Sequence, residues 1–547
     1  MYRKLMSLLL SVVMLLSFGS ALAEADKLPI AENFGDVELT VAVIGDPAIE
    51  NWETNAYVKW LEEKTNIDLS FVVIPEEGAG EKLGLILASG EYPDVFLSVG
   101  ISDSNITKYG VEEKLFLPLG DLIDKHGNNI KKLLEAFPGA RARMTQLDGE
   151  IYSLPDVNIC YHCGLRQKYW INSEWLKKLG LDMPTTTDEF YNVLVAFRDQ
   201  DPNGNGEKDE LPMIANYDDG WHTNSDSFVM NAFTYYPLNL RKAITSGAEA
   251  FGLYVEDGKV VSCLNDVKGM KDGLAFVNKL VSEGLFYEGS FSQNTAADMI
   301  LGEGGQVGGA AGGYLQFCQT GSDMYKQYDY LLPLTGPDGQ RNMTSFPHEG
   351  VGGHKFVISA QTKYPEAALR LADLMYSFDA TIRGYHGVYG ENWTNPDEGA
   401  VGLNGEPALY KVLTPWQDVN VQNNNVLQYT VSYRDAAFRN GEQTDLKGTD
   451  KKSGAGLEIW LAEATKEYEA VADKSKALPP LKFDSATTEE LGLLSTELSS
   501  YIKEGITAFM TGNNAVDNYE SWLQEAEDLG LGQLIAFYQA AYDTQYK

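Results

Sequence analysis

Apolar and polar positions follow two different periods along the first part of the chain. Short β-branched runs are typical of buried strands, and the stretches between them carry apolar residues three or four positions apart, as at Val58 and Leu61. The three predicted strands lie at 37–44, 67–74 and 95–97. Strands that alternate with helices form a parallel sheet covered on both faces. The pattern therefore predicts the α/β fold class.

Helical spacing dominates the middle and the end of the chain. Thr186 and Glu189 form a capping box before a row of apolar residues, and Thr487 and Glu490 repeat that pattern before a later helix. Pro365 begins another helix, because proline is favoured at a first helical position. No repeat, low-complexity tract or long Pro/Gly/Ser-rich linker separates these elements. We therefore expect lobes that share several crossings rather than a string of independent domains.

The N-terminus has the three parts of an export signal. Arg3 and Lys4 are basic, and residues 5–18 are almost wholly apolar. Residues 21–23 read Ala-Leu-Ala, a small-x-small cleavage site, so residues 1–23 are predicted to be a signal peptide. The apolar run is shorter than the roughly 20 residues that span a bilayer. We expect an exported, soluble mature chain. No cysteine follows the cleavage site, so the sequence does not suggest an N-terminal lipid anchor.

The chain is strongly acidic. Its formal net charge is −35, and removal of Arg3 and Lys4 with the signal peptide would make it −37. Nucleic acids and anionic membrane surfaces require a basic binding surface, so the charge argues against both partners. Acidic surfaces also keep secreted proteins soluble, and they suit calcium.

Four cysteines are too few for a disulfide scaffold in a chain of 547 residues. Cys160 and Cys163 have the spacing of a redox motif, but no second pair with zinc spacing lies near them. A local disulfide or two structural thiols is the favoured interpretation, and a redox or metal role is the alternative. The other two are Cys263 and Cys318.

The stretch DPNGNGEKDELP, residues 201–212, places oxygen-bearing side chains at alternate positions around two glycines. It is similar to an EF-hand calcium loop, but Pro212 stands at position twelve, where an EF-hand has a bidentate Glu. An exposed, polar Asn-Gly turn is the alternative. Carboxylates that converge without a cation repel one another, so the pattern favours calcium. The side chains at positions one, three, five and nine are Asp201, Asn203, Asn205 and Asp209.

Several segments, in order and spacing, resemble one protein family over nearly all of the mature chain. The strongest is residues 169–212, from YWINSEWLKKLG to the end of the acidic loop. The chain resembles an extracellular solute-binding protein of an ABC importer, in the branch of alginate-binding and lipoprotein-type sugar receptors. The other segments are SGEYPDVF (89–96), PLGDLIDKHGNNIKKLL (118–134), DGEIYSLP (148–155), KYPEAALRLADLMYS (363–377), GVYGENW (387–393) and YQAAYD (538–543).

The resemblance implies a periplasmic-binding-protein-like fold of two α/β lobes around a ligand cleft, each built from discontinuous segments. The N-terminal lobe is expected at 24–155 plus about 340–410, and the C-terminal lobe at 156–339 plus about 411–547. Ligand would lie between lobes that close by hinge motion. The loop would hold a structural Ca²⁺, with Glu210 in place of the missing carboxylate. Its implied ligands are Asp201, Asn203, Asn205, the Glu207 carbonyl, Asp209 and Glu210.

The resemblance also implies a function. The chain would be a monomeric receptor, periplasmic or at the cell surface, that captures a carbohydrate, in particular an oligosaccharide, and delivers it to a membrane permease. It would not be an enzyme. The six histidines form no His-x-x-x-His pair, and no Gly-x-Ser-x-Gly elbow occurs. The alternatives are a secreted glycoside hydrolase, which needs only two carboxylates, and a calcium-dependent surface adhesin.

Nine tryptophans and thirty tyrosines suit a sugar receptor, because sugar C–H faces stack on aromatic rings. Tryptophans in turn-rich segments are the better candidates for stacking, and the alternative for each is a packed loop anchor. The Gly-rich segment 302–314 would allow a close approach of backbone to ligand. The predicted ligand-binding residues are Trp52, Arg166, Trp221, Tyr314, Glu349, Trp393, Trp416 and Arg434.

Overall fold

The computed structural model describes residues 36–217, 224–240, 247–346, 350–414 and 421–547. The chain divides into two compact units, and each is built from two separated segments. The first unit holds the described residues up to Ile159 and from 350 to Gln443, and the second unit holds the others. The predicted signal peptide lies outside the described residues.

The three longest of the described strands lie in the first unit, and each of the others has two to five residues. In chain order they are β1 (Val37–Gly45), β2 (Ile67–Pro75), β3 (Val95–Ile101), β4 (Ser153–Leu154), β5 (Val157–Asn158), β6 (Lys168–Asn172), β7 (Leu253–Glu256), β8 (Lys259–Ser262), β9 (Gly309–Gly312), β10 (Tyr328–Leu331), β11 (His354–Ile358), β12 (Trp393–Thr394), β13 (Lys411–Val412) and β14 (Tyr433–Arg434).

The α-helices occur in both units and form most of the C-terminal segment. In chain order they are α1 (Ala56–Thr65), α2 (Ala79–Ser89), α3 (Asp103–Asn105), α4 (Gly120–His126), α5 (Asn128–Ala136), α6 (Pro138–Met144), α7 (Ser173–Leu179), α8 (Thr187–Asp199), α9 (Ser225–Met230), α10 (Val267–Ser282), α11 (Thr295–Glu303), α12 (Pro365–Met375), α13 (Phe378–His386), α14 (Ala436–Asn440), α15 (Leu457–Glu469), α16 (Ser485–Thr511), α17 (Tyr519–Asp528) and α18 (Leu531–Tyr546).

A five-stranded sheet in the order β2-β1-β3-β11-β4 forms the centre of the first unit. β1 pairs with β2 and with β3 in parallel, as the alternation of strands and helices predicts. Side chains of β1 enter two different cores, with Leu39 and Val41 on one face and Ala42 and Ile44 on the other. The sheet is therefore covered on both faces, and the α/β class is confirmed. β11 runs antiparallel to β3, which the sequence did not predict.

The second unit combines a small antiparallel sheet with many helices. The sheet has the order β10-β6-β9, with β6 at its centre. In the largest hydrophobic core of the second unit, α10 packs against α16, and Leu274 and Leu498 are among the fully buried side chains there. Of the helices described, none is both long and apolar enough to cross a membrane.

Helix starts test the capping predictions. Thr186 and Glu189 form the predicted capping box of α8, and Pro365 is the first residue of α12. The predicted cap at Thr487 is wrong, because α16 begins at Ser485 and the Asp484 side chain accepts the Thr487 backbone N–H at 2.8 Å. An aspartate is a strong N-cap residue, and this one precedes the predicted start.

The segment 421–443, which the sequence assigned to the C-terminal lobe, belongs to the first unit. β14 pairs with β5 in parallel, and the Asn55 side chain donates a hydrogen bond to the Asn425 carbonyl at 2.8 Å. These contacts join the segment to the N-terminal part of the chain. The second crossing between the units therefore follows Gln443 rather than residue 410.

Candidate functional site

The loop after α8 folds around the carboxylate of Asp201. Asp201 Oδ1 accepts the backbone N–H groups of Gly204 and Asn205 at 2.9 and 3.1 Å. Asp201 Oδ2 accepts the N–H of Gly206 at 3.0 Å. Gly204 and Gly206 have φ values of 78° and 82°, in the left-handed region that glycine enters without strain. The two glycines of the loop therefore stand where the turn requires them.

Asp209 is held by side-chain amides from two directions. Within the loop, Asn203 Nδ2 and Asn205 Nδ2 donate to Asp209 Oδ1 at 3.0 and 3.1 Å. From a distant part of the chain, Gln306 Nε2 donates to Asp209 Oδ2 at 3.0 Å. Burial acts to raise the pKa of Asp209, but hydrogen bonds, including these, outweigh it and hold that pKa below its usual value. Asp209 is therefore charged at neutral pH.

Glu210 lacks the partners that the other acids of the loop have. Its side chain is buried, with the residue 8% exposed, and neither carboxylate oxygen has a hydrogen-bond partner of normal geometry. Burial raises its pKa, the negative charges of Asp201 and Asp209 add to that effect, and the nearby backbone N–H groups of Glu210 and Asn203 only partly oppose it. A buried carboxylate without a partner costs stability. A cation bound beside Glu210 would offset that cost, and no ion pair to Glu210 occurs among the described residues.

The donor set of the loop fits a calcium ion. Calcium takes about six to eight oxygen ligands from carboxylates, amide side chains and backbone carbonyls. The bare Glu210 carboxylate supplies the acidic group that position twelve lacks, since Pro212 stands there. The residues that would hold the ion are Asp201, Asn203, Asn205, Glu207 through its carbonyl, Asp209 and Glu210.

The cysteine pair forms a second cluster of metal-ligand type in the second unit, together with His162. Cys160 and Cys163 are joined in a disulfide, with their Cα atoms 5.4 Å apart, so their sulfur atoms are not metal ligands. The local disulfide is confirmed. Cys263 and Cys318 are buried free thiols.

Trp52 is placed in the core of the first unit. It is 5% exposed, and its indole Nε1 donates to the Ile44 carbonyl at 3.0 Å. Its ring packs against Phe71, with the ring centroids 5.6 Å apart. Because the ring faces and the N–H group are taken by the protein, the expectation that Trp52 stacks on a sugar is corrected, and the residue is a packed anchor.

Trp393 receives the same correction. It is 6% exposed, and its Nε1 donates to the Gly387 carbonyl at 3.0 Å. Tyr389 packs edge-on against its ring, with the centroids 4.9 Å apart. This hydrogen bond holds the loop that precedes β12, and the Trp393 ring is too buried to stack on a sugar.

Arg166, which is half-buried, and Arg434, which is buried, are cations in different units. Arg166 is paired with Glu249, and its guanidinium lies 3.9 Å from the centre of the Phe346 ring. Arg434 lies 3.5 Å from the centre of the Tyr385 ring, and within the described part of the chain it forms no ion pair. A buried guanidinium is a strong hydrogen-bond donor toward a polar ligand. Both residues therefore remain candidates.

Tyr314 follows β9 and is half-buried. A small pocket opens in the same unit, and Gln316, two positions after Tyr314, is one of its walls. Asp298 in this pocket accepts a hydrogen bond from Asn216 Nδ2 at 2.7 Å and another from Gln293. Burial raises the pKa of Asp298 to about 6. The lining residues are Ile214, Ala215, Asn216, Thr295, Asp298, Ala310, Gln316 and Phe317.

Sequence reasoning missed the pocket residues and the partners of Arg166. Asn216 and Asp298 are single polar residues in separate segments, with no motif that joins them. The glycine-rich segment 302–314 was the one signal that pointed to this part of the chain.

Three predicted ligand-binding residues lie outside the described residues, namely Trp221, Glu349 and Trp416.

Comparison with known proteins gives a consistent result. Residues 46–382 match the family of bacterial extracellular solute-binding proteins. The fructooligosaccharide ABC transporter substrate-binding protein FusA of Streptococcus pneumoniae serotype 4 (strain TIGR4) is 27% identical over 501 residues, which are 89% of this chain and 86% of FusA.

Solved structures agree over nearly the whole length. FusA of S. pneumoniae in complex with kestose has a TM-score of 0.76 and 25% identity, over 93% of this chain and 99% of that chain. A second solved structure is a human-milk-oligosaccharide (HMO) binding, ABC-transporter associated solute-binding protein from Bifidobacterium longum infantis. Its TM-score is 0.76 and its identity is 22%, over 94% of this chain and 100% of that chain. Because the matched family covers more than half of the sequence, the chain belongs to the bacterial extracellular solute-binding proteins.

Proposed function

We propose that this chain is the substrate-binding component of an ABC importer, and that it captures an oligosaccharide and delivers it unchanged to a membrane permease. The observation that carries the proposal is the agreement of fold with FusA in complex with kestose, over 93% of this chain and 99% of that one. Relatives of this kind are binding proteins by name, which favours capture over the hydrolase and adhesin alternatives. An exported chain, periplasmic or held at the cell surface, fits the same role.

A thermal-shift screen with oligosaccharides tests the proposal. A ligand that binds only the folded chain should raise the melting temperature, with a rise that grows as ligand concentration exceeds Kd. Neutral fructooligosaccharides, milk-type oligosaccharides and uronic-acid oligosaccharides form the panel, with the monosaccharides as controls. We expect at least one oligosaccharide to stabilise the chain. If none of these classes changes the melting temperature, the proposal of an oligosaccharide receptor is wrong.

We propose Tyr314, Arg166 and Arg434 as ligand contacts, together with Trp221, Glu349 and Trp416 as the sequence predicted. Tyr314 is half-buried and stands two positions before Gln316, a wall of the pocket that holds Asn216 and Asp298, so one short stretch of chain brings an aromatic residue close to hydrogen-bonding groups. Sugar recognition uses that combination.

Tyr314→Ala is expected to weaken binding of the best oligosaccharide roughly fivefold, because a lost aromatic contact of about 1 kcal/mol changes Kd by about that factor. Tyr314→Phe keeps the ring and is the matched control for the hydroxyl group. Titration calorimetry of the three proteins gives Kd, and circular dichroism checks the fold. Equal Kd values for Tyr314→Ala and the wild-type chain would remove Tyr314 from the proposed site.

We propose further that the loop at 201–210 binds a structural calcium ion. The support is the buried Glu210 carboxylate without a hydrogen-bond partner, next to the charges of Asp201 and Asp209. The ion would neutralise these acids and fix the turn, and the donors are supplied by one continuous stretch of chain. Nothing in this donor set assigns a role in sugar binding, so the ion's contribution would be to folding stability.

A further inference from the structure

Gln306 stands outside the calcium loop and reaches into it. Its Nε2 lies 3.0 Å from Asp209 Oδ2, although 97 positions separate the two residues along the chain. Gln306 is half-buried, so its side chain is partly fixed by packing. Among the hydrogen bonds that hold Asp209, this is the one that comes from another part of the fold.

The backbone on either side of this contact is paired as well. The Leu211 N–H donates to the Gln306 carbonyl at 2.8 Å, and the Gly308 N–H donates to the Leu211 carbonyl at 2.8 Å. The approach is close, because a Cβ added at Gly308 would lie 2.5 Å from the Pro212 carbonyl oxygen. The exit of the loop and the residues after Gln306 therefore form one rigid ladder.

The ladder continues into the candidate sugar-binding segment. The Ile214 N–H donates to the Gly309 carbonyl at 3.0 Å, and Gly309 begins β9. β9 pairs with the central strand β6 and leads directly to Tyr314. Hydrogen bonds thus connect Asp209 continuously with the segment 306–314, so a change in the mobility of Asp209 is expected to change the mobility of that segment.

We infer that Gln306 is a positioning residue that orients Asp209 for the cation and couples calcium loading to the segment 306–314. The inference rests on the proposed calcium site. A ligating carboxylate that is held by a hydrogen bond from outside the site loses less freedom when the ion binds, and loss of such a partner typically weakens metal affinity by about 10–100-fold. The same bond gives the bound ion a direct mechanical link to β9.

Gln306→Leu tests the inference, because it keeps the approximate size of the side chain and removes the donor. Gln200→Leu is the matched control, since Gln200 is exposed and directly precedes the loop. We expect calorimetry to give a calcium Kd about tenfold weaker for Gln306→Leu and unchanged for Gln200→Leu. Gln306→Ala provides a second variant without the donor.

Hydrogen exchange supplies a readout that a purely structural role would not move. In the wild-type chain, saturating calcium should slow amide exchange in 306–314 several-fold relative to chelator. In Gln306→Leu that slowing should be clearly smaller although the ion is bound, because only the backbone pairing at Leu211 then joins the loop to this segment. If the wild-type chain binds calcium and the variant shows an unchanged Kd or unchanged protection at saturation, the inference is overturned while the calcium site stands. If the wild-type chain takes up no calcium, both fail together.

Discussion

Chelation of calcium is expected to lower the melting temperature of the wild-type chain by several degrees, and Glu210→Gln is expected to abolish that response. An ion present at a hundredfold excess over its Kd stabilises the folded state by about 2.7 kcal/mol. Glu210 carries the two buried oxygens without hydrogen-bond partners, so the variant loses a charged ligand at the most confined point of the loop. Differential scanning calorimetry with calcium and with chelator measures both effects.

The order of stabilities should reverse when the ion is removed. In chelator the wild-type chain keeps a buried, bare carboxylate, whereas Glu210→Gln keeps a neutral group of the same shape. We therefore expect the variant to melt at or above the wild-type chain in chelator, and below it in calcium. Glu207→Gln, which changes an exposed side chain and leaves its carbonyl, is the matched control. A variant that melts below the wild-type chain in both buffers would show that Glu210 has another partner.

Lys168→Met is expected to remove a pH dependence of stability between pH 7 and 9. Lys168 on β6 is completely buried, and its Nζ donates to the Leu165 carbonyl at 2.6 Å and to the His162 carbonyl at 3.4 Å. Burial lowers its pKa from 10.5 to about 7, and the charge of Glu469 only partly offsets that effect. The folded chain therefore releases this proton at a pH where the unfolded chain still holds it.

The sign follows from the proton balance. Between pH 7 and about 10 the unfolded chain binds more protons at this lysine than the folded chain, so the free energy of unfolding rises with pH. For a pKa of about 7 the rise from pH 7 to 9 is about 2 kcal/mol. Urea unfolding at a series of pH values should show this rise in the wild-type chain and a smaller one in Lys168→Met. Lys177→Met, at an exposed lysine of α7, should leave the slope unchanged. Parallel slopes for the wild-type chain and Lys168→Met would contradict the assignment.

Local signals predicted the parts of the fold that depend on neighbours in sequence. β1, β2 and β3 begin at the predicted residues, because their β-branched runs and intervening helical spacing are encoded locally. β11 also enters the same sheet, but it pairs with β3 across more than two hundred residues. Its antiparallel direction depends on where the chain returns, and local pattern carries no information about that.

The loop could be predicted because most of its donors lie within a few residues of one another. Asp201, Asn203 and Asp209 keep the spacing of a cation-binding turn, and glycines stand at the left-handed positions. The contact from Gln306 could not be predicted, because nothing in its own neighbourhood marks a residue that will meet Asp209.

The tryptophan candidates show where local reasoning fails. A tryptophan in a turn-rich segment has the same local signature whether its ring enters a core or faces a ligand. Trp52 and Trp393 are buried because distant residues complete their surroundings, among them Val426 beside Trp52 and Tyr410 in the cluster of Trp393. Burial of these rings is a property of the tertiary structure and not of the segment.

Recovery of the bound ligand distinguishes a receptor from a hydrolase. The purified chain, saturated with the best oligosaccharide of the thermal-shift screen, is incubated at the working temperature, and the ligand is released and analysed by mass spectrometry and reducing-end assay. We expect reversible binding of a single ligand per chain, measured by calorimetry, and recovery of that ligand at its original length. Shortened products or new reducing ends that accumulate with time would contradict it and would favour a hydrolase.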